Sequence, residues 1–446
     1  GVRMGEVGRR DEALAVTEEA VEIYRRLARD NPDTYEPDLA GSLSNVGNRM
    51  AQVGRRDKAL AITVEAVEIR RRLARGNPAA YEPDLATSLS NVGNRMAEVG
   101  RRDEALTAAV EAVEIRRRLA RGNPAAYEPD LAGSLSNVGN RMAEVGRRDE
   151  ALTAAVEAVE IYRRLALGNP VAYEPAFATS LSNLGVRMAE VGQWGEALTA
   201  AVEAVEIRRR LARDNPAAYE PALAGSLSNL GVRMAEVGQW GEALTAAVEA
   251  VEIYRRLARG NPAAYEPGLA GSLSNVGNRM AEVGRRDEAL AVTVEAVEIR
   301  RRLARDNPAA YEPDLAGSLS NVGNRMAEVG RWGEALAVTV EAVEIRRRLA
   351  RDNPAAYEPA FATSLSNLGV RMGEVGRWGE ALAVTVEAVE IRRRLARDNP
   401  AAYEPDLAGS LTNLGVRMGE VGRRDEALAV TEEAVEIYRR LARDNP

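Results

Sequence analysis

The side chains that could carry chemistry in this chain are carboxylates, serines and arginines, and nearly all of them recur at one fixed interval. Acid–base catalysis needs a single asymmetric group of side chains whose pKa values lie apart, whereas the Glu-Ala-Val-Glu segment at 65–68 returns in every repeat. Ser42 and Ser44 have no histidine or lysine near them in sequence that could act as a base. The chain has no His and no Cys, which excludes imidazole bases, thiolate nucleophiles and the usual zinc ligands. We therefore predict no enzyme activity, no metal site and no cofactor.

The other repeated side chains favour packing over ligand binding. The ten methionines occupy one repeated position, which predicts a core stripe rather than a metal or recognition face. The four tryptophans are expected to pack between hairpins, with ligand binding as the alternative. Arginine runs such as Arg70 to Arg72 fall at predicted helix ends, where they complement the helix dipole, and anion binding there is the alternative. Arg49 and its equivalents adjoin the methionine stripe, so we expect them to be partly buried in structural pairs with glutamates.

A unit of 46 residues organises all of these side chains. The triplet Tyr-Glu-Pro recurs at that interval, beginning at Tyr35, Tyr81, Tyr127, Tyr173, Tyr219, Tyr265, Tyr311, Tyr357 and Tyr403. Repeats of this kind predict a solenoid, in which each copy covers the hydrophobic face of the next. We therefore predict one domain over residues 1–446, made of a partial unit at 1–34 and nine 46-residue units that start at those tyrosines. Because the chain begins at Gly1 rather than Met, we expect it to be an excerpt of a longer protein.

The pattern within one unit predicts two helices. In the unit at 81–126, apolar residues recur at spacings of four, three and four from Leu85 to Met96, which predicts an amphipathic helix with Pro83 in its first turn. Gly100 is expected to end that helix, and Asp103 to cap a second one of roughly 20 residues. The Gly-Asn-Pro segment at 122–124 should end the second helix.

These residues resemble the tetratricopeptide repeat family. The resemblance covers essentially the whole chain and is carried by Asn183-Leu184-Gly185, Val191-Gly192, Glu196-Ala197-Leu198 and Glu203-Ala204. The long second helix ending in Ile207 to Leu211, followed by Asn-Pro, is most similar to the kinesin-light-chain subtype with its long units. Two positions depart from the family pattern, because Met188 replaces an aromatic residue and the aromatic after the turn is Trp in only four units.

The resemblance implies an all-α fold, a right-handed superhelical α-solenoid of stacked antiparallel helix hairpins. It also implies that Gly185 permits close helix approach, that Gly192 closes the turn, and that Ala197 and Ala204 occupy small inter-helix positions. First helices would line the concave face, and groove positions would include Gly or Thr at 41 and 87 and Ser at 44 and 90. The lysines and arginine with which some family members clamp a C-terminal carboxylate have no match here, so that mode of binding is not expected.

A peptide-binding groove is predicted on the first helices from two rows of residues. The first row consists of Asn45, Asn91, Asn137, Asn183, Asn229, Asn275, Asn321, Asn367 and Asn413, and the second of Asn48, Asn94, Asn140, Val186, Val232, Asn278, Asn324, Val370 and Val416. Amides both donate and accept hydrogen bonds, which suits an extended peptide backbone. The alternative is that the asparagines only tie adjacent hairpins together. The second row alternates between blocks of Asn and Val, so we expect polar and apolar zones along the groove.

We predict a protein-interaction scaffold or sensor arm, part of a larger bacterial signalling protein, with a protein or extended peptide as its partner. The alternative is a consensus-like or designed structural solenoid with no ligand, able to stack end to end. A net charge of -7 and a pI near 5.3 argue against nucleic acid as a partner. No apolar run approaches the ~18 residues of a membrane span, and the lack of cysteine fits a reducing compartment. A cytoplasmic protein without membrane contact is the expected setting.

Overall fold

The computed structural model describes residues 10–444, and over this range the chain is folded as 19 α-helices of 21 residues with no strand. This confirms the predicted all-α fold. Residues 1–9, the start of the predicted partial unit at 1–34, lie outside the described residues, as do 445 and 446. The helices form two compact units, one on either side of the boundary between Gln193 and Trp194.

Two kinds of helix alternate along the chain, and we call them first and second helices by their order within a repeat. The first helices are Pro32–Gln52, Pro78–Glu98, Pro124–Glu144, Pro170–Glu190, Pro216–Glu236, Pro262–Glu282, Pro308–Glu328, Pro354–Glu374 and Pro400–Glu420. The second helices are Arg10–Asp30, Arg56–Gly76, Arg102–Gly122, Arg148–Gly168, Trp194–Asp214, Trp240–Gly260, Arg286–Asp306, Trp332–Asp352, Trp378–Asp398 and Arg424–Asp444.

First helices begin earlier than the sequence predicted. Asn77 is the N-cap and its side chain accepts a hydrogen bond from the Ala80 amide at 3.3 Å, while Pro78 occupies the first helical position. Pro83, predicted to lie in the first turn, is instead inside the helix. Its ring removes only the bond to the carbonyl of Ala79, which is an exposed residue whose oxygen can bind water. The Asn-Pro pair therefore both ends one helix and starts the next.

The turn between the two helices depends on a glycine in the left-handed region. Gly100 has φ = 83°, its amide donates to the Ala97 carbonyl at 3.0 Å, and the Arg101 amide donates to the Met96 carbonyl at 2.9 Å. This is the hydrogen-bond pattern with which glycine ends helices. The second helix then begins at Arg102 without a side-chain cap, so the predicted capping role of Asp103 is wrong. Asp103 lies in the first turn, where its charge still favours the helix dipole.

Within each of the two compact units, the hydrophobic core extends from each repeat into the next. Leu85, Leu89 and Val92 of one first helix are buried in a cluster with Leu60 and Val67 of the preceding second helix and with residues of the following one. A Cβ at Gly93 would lie 3.1 Å from the Ala105 carbonyl oxygen, so the glycine allows the close approach that the family pattern implied. Each hairpin is therefore stabilised mainly by its two neighbours.

The tryptophans do not lie in this core. Trp194, Trp240, Trp332 and Trp378 are 42–44% exposed at the first position of their helices, so the prediction that they pack between hairpins is wrong. The glycine turn leaves this position at the edge of the hairpin, where only part of the ring is covered. The methionine stripe is confirmed where Met50, Met326, Met372 and Met418 are buried.

Candidate functional site

The two predicted rows of groove residues lie on the surface of the first helices, and we call this surface the first-helix face. None of the 18 side chains is buried, and five of them are exposed, namely Asn45, Asn48, Asn137, Asn229 and Val416. Members of the two rows are three residues apart in each repeat, about one helical turn, so they lie side by side on one surface. The structure therefore presents both rows to solvent within each unit.

The asparagine side chains on this face have open hydrogen-bonding groups. Across residues 12–443, no asparagine of either row donates or accepts a side-chain hydrogen bond within the chain. They therefore do not tie adjacent hairpins together. Each amide offers two donors and one acceptor to a ligand, without a protein bond that must first be broken.

The valine blocks give the same face a different character. Val186, Val232 and Val370 are half-buried, and Val416 is 49% exposed. The residue two positions earlier is buried beneath the face and changes with them, being Val92 under Asn94 but Leu184 under Val186. The second row thus varies between amide groups and partly exposed apolar groups above buried side chains of the same helices.

Asn94 borders a cavity that is shared by two successive repeats. The cavity has a volume of about 470 Å³ and is lined by Asn94, Arg95, Ala97, Glu98, Arg102, Arg141 and Glu144. An equivalent cavity of about 430 Å³ in the other compact unit is lined by Asn278, Arg279, Ala281, Glu282, Arg286, Arg325 and Glu328. The second row of predicted residues is therefore brought together with charged groups, whereas Asn91 and Asn275 of the first row do not line these cavities.

The charged groups of these cavities form pairs along the ends of the first helices. Arg95 Nη1 lies 2.8 Å from Glu98 Oε2, and Arg279 Nη2 lies 2.9 Å from Glu282 Oε1. The arginine side chains are only 17% and 12% exposed, which confirms the expected half-buried pairing with glutamates. The Nε atoms of both arginines are buried without a hydrogen-bond partner.

Two glutamates of this row, Glu236 and Glu282, each lie between two cations. Desolvation raises the pKa of Glu282 above its ordinary value, and the charges of Arg279 and of Arg325 in the next repeat oppose that rise. Glu236 is raised in the same way between Arg233 and Arg279. The cavities therefore combine guanidinium donors, carboxylate acceptors and amides, which together can pair with both the N–H and C=O groups of a peptide. Sequence reasoning found the pairs but missed their place beside Asn94, because that depends on the next repeat.

A second set of ion pairs joins arginines of the second helices to glutamates on neighbouring helices. Arg117 bonds to Glu157 of the following second helix, and Arg118 Nη2 lies 2.6 Å from Glu82 Oε1 of the first helix in its own repeat. The helix-end arginine runs therefore stabilise neighbouring helices. Exposed pairs of this kind contribute about 0–1 kcal/mol each.

Two kinds of site are absent from the described part of the chain. No helix there is long and apolar enough to cross a bilayer. Among the same residues, no cluster of three or more acidic side chains has a geometry that could hold a metal ion.

Comparison with known proteins gives the family. The tetratricopeptide repeat model matches residues 39–75, 85–121, 131–166, 177–217, 223–258, 269–309, 315–355, 361–401 and 407–446. No curated protein sequence matches the chain significantly.

Solved structures with similar folds have low sequence identity. BtubC (BKLC) from P. vanneervenii is 23% identical with a TM-score of 0.46, over 56% of this chain and 91% of that one. A putative kinesin light chain of Podosopora anserina with nearly identical TPR-like repeats is 20% identical with a TM-score of 0.41, over 50% and 97%. The apo form of RapI is 14% identical with a TM-score of 0.51, over 70% and 99%, a likeness of fold alone. The nine family matches span most of the sequence, and the chain belongs to the tetratricopeptide repeat family.

Proposed function

We propose that this protein is an interaction scaffold that binds a protein or an extended peptide on its first-helix face. The observation that carries the proposal is the first row of nine asparagines, with five more in the second row, none of which is buried or makes a side-chain hydrogen bond within the described chain. A fold of tetratricopeptide repeats is typical of interaction scaffolds, and it offers one such surface element per repeat. Amides repeated at this spacing suit a ligand whose own polar groups repeat, such as a peptide backbone.

The cavities beside Asn94 and Asn278 supply the second part of the proposal. Each is open to solvent and is lined by two arginine–glutamate pairs. Acidic and basic side chains of a ligand could therefore both be paired next to the amides. The valine blocks at 186, 232, 370 and 416 would bury apolar parts of the same ligand. The ligand we infer is therefore mixed in polarity.

The wider setting is part of the same proposal. We place the nine repeats in one continuous array that belongs to a larger bacterial signalling protein in the cytoplasm. The absence of cysteine supports a reducing compartment. Sequencing the flanking parts of the gene tests this setting.

Site-specific photo-crosslinking tests the surface. A photoreactive residue at the exposed position Asn137 should crosslink a partner protein, whereas one at Thr107, which is also exposed but on a second helix, should not. Crosslinking from Thr107 alone would move the site to the second helices. No crosslink from either position would favour the structural alternative, a solenoid without ligand, and end-to-end stacking would then appear as self-association in analytical ultracentrifugation.

A further inference from the structure

A row of arginines lies beneath the first-helix face and is held by hydroxyl groups rather than carboxylates. Arg116 is 9% exposed, its Nη1 donates to Ser90 at 3.1 Å and to Ser134 of the next repeat, and its Nη2 donates to Thr87 at 3.1 Å. We call this the partly buried arginine row, which consists of Arg70, Arg116, Arg208, Arg300, Arg346 and Arg392. Each cation is partly desolvated, and a desolvated cation favours an anion nearby.

The chain supplies that anion in some repeats and not in others. Arg392 has Asp406 close enough for its charge to raise the pKa of the guanidinium, against a larger lowering by desolvation. The same arrangement occurs for Arg70 with Asp84, Arg116 with Asp130 and Arg300 with Asp314. At the equivalent place beside Arg346 the residue is Ala360, and desolvation lowers the pKa of Arg346 with no carboxylate in the described chain acting against it.

Arg346 also has a hydrogen-bond donor, Nη2, that no described residue accepts from, and we call it the open donor. Its Nη1 donates to the Ala360 carbonyl at 3.1 Å and to Ser364. Its Nη2 makes no hydrogen bond with the described residues, and a Cβ built on Gly317 would lie 3.7 Å from it. In the repeats of Arg116 and Arg392 a threonine stands where Gly317 stands here and accepts the hydrogen bond from Nη2.

The open donor points to the proposed ligand surface. Gly317 lies four residues before Asn321 on the same helix, so the two positions share one face. We propose that Arg346 is a carboxylate-binding point of the first-helix face, which takes an acidic side chain of a peptide lying over Gly317. The inference rests on the proposed function and adds that the ligand is acidic next to Asn321. A guanidinium–carboxylate hydrogen bond is charge-assisted and therefore stronger than a hydrogen bond between neutral groups.

Calorimetric titration at low ionic strength tests this with a capped tetraglutamate peptide and its tetraglutamine counterpart. Wild type should bind tetraglutamate and not tetraglutamine, and Arg346→Tyr should lower the affinity for tetraglutamate about tenfold or more, as loss of a hydrogen bond to a charged group does. Tyrosine occurs naturally at the equivalent position of another repeat, because Tyr162 precedes Ala176 by 14 residues just as Arg346 precedes Ala360. Its hydroxyl donates to the Pro129 carbonyl at 3.2 Å, so the variant should fold.

Two further variants keep the test decisive. Ala360→Asp leaves Arg346 in place but supplies the missing carboxylate, and it should also weaken tetraglutamate binding about tenfold. Arg392→Tyr is the matched control and should bind like wild type, since Arg392 already has Thr363 and Asp406. Equal affinity of wild type and Arg346→Tyr would overturn the assignment, as would equal binding of tetraglutamine.

A free anion is separated from a peptide by competition. Acetate at the same carboxylate concentration should displace little of the tetraglutamate, and full displacement would overturn the assignment to a peptide side chain. The proposed function fails on a different result, the absence of crosslinks from Asn137. The two proposals can therefore be refuted separately.

Discussion

Replacing Gly231 by Ala should weaken the packing between the helices Pro216–Glu236 and Trp240–Gly260, because the added methyl group meets the backbone of the second of them. A Cβ at Gly231 would lie 2.9 Å from the Ala243 carbonyl oxygen and 3.6 Å from the Ala247 amide nitrogen. Both atoms are helix backbone, so the two helices must move apart, since no side chain can rotate away. Overpacking of this kind costs about 1–3 kcal/mol.

Gly225→Ala on the same first helix is the matched control. There a Cβ would meet only the Tyr254 hydroxyl at 3.7 Å, an ordinary contact. Both variants gain about the same 1 kcal/mol in helix propensity, so the difference between them isolates the cost of the close approach. Hydrogen exchange followed by mass spectrometry should show the amides of 223–257 exchanging about 5- to 160-fold faster in Gly231→Ala than in Gly225→Ala. Equal rates would refute the close packing at Gly231.

Three further predictions concern stability and ionisation. Deleting residues 219–264 should leave a folded, shorter array with a slightly lower denaturant midpoint, because hairpins are stabilised by their neighbours, and loss of helical circular dichroism would contradict this. Asn123→Ala should cost about 1 kcal/mol of local stability by removing the N-cap, measured as faster exchange of the first turn of Pro124–Glu144 with Asn140→Ala as the control. Carbon-13 titration should give Glu282 a pKa above its ordinary value and Glu288 one below it, because desolvation raises the first and Arg285 lowers the second. The stability that Glu288 contributes is present above its unfolded pKa and is lost as pH falls through its lower folded pKa. Ionised Glu282 opposes folding, so its protonation as pH falls adds stability. The reverse order of the two pKa values would refute the assigned environments.

The helix pattern could be predicted from the sequence because its causes are local. The stripe from Leu85 to Met96 and the glycine at 100 each act within one or two turns of the same helix, and both proved correct. The start at Pro83 was wrong because proline is tolerated in a first turn and also further in, and only the capping bond of Asn77 decides between them. Local patterns thus predicted the elements better than their ends.

The partners of the charged groups could not be predicted, because they lie on other helices. Arg118 pairs with Glu82 on the first helix of its repeat, at a separation that no helical spacing indicates. The open donor of Arg346 depends on Gly317 and Ala360, which belong to two different first helices. Identical arginines in successive repeats therefore have different surroundings, and the difference follows from single substitutions in their neighbours.

Binding through the first-helix face is tested most directly by exchanging its two kinds of surface. The partner is first identified by crosslinking and then purified in its free form. It is titrated calorimetrically against the double variant Asn94→Val with Asn140→Val and against the double variant Val186→Asn with Val232→Asn. Circular dichroism first shows that both double variants are folded. The asparagine variant should lose about 1–3 kcal/mol for each ligand group left unpaired, and the valine variant a smaller burial contribution of about 1 kcal/mol for each side chain. Unchanged affinity in both would contradict binding on this face and place the site on the arginine-rich ends of the second helices.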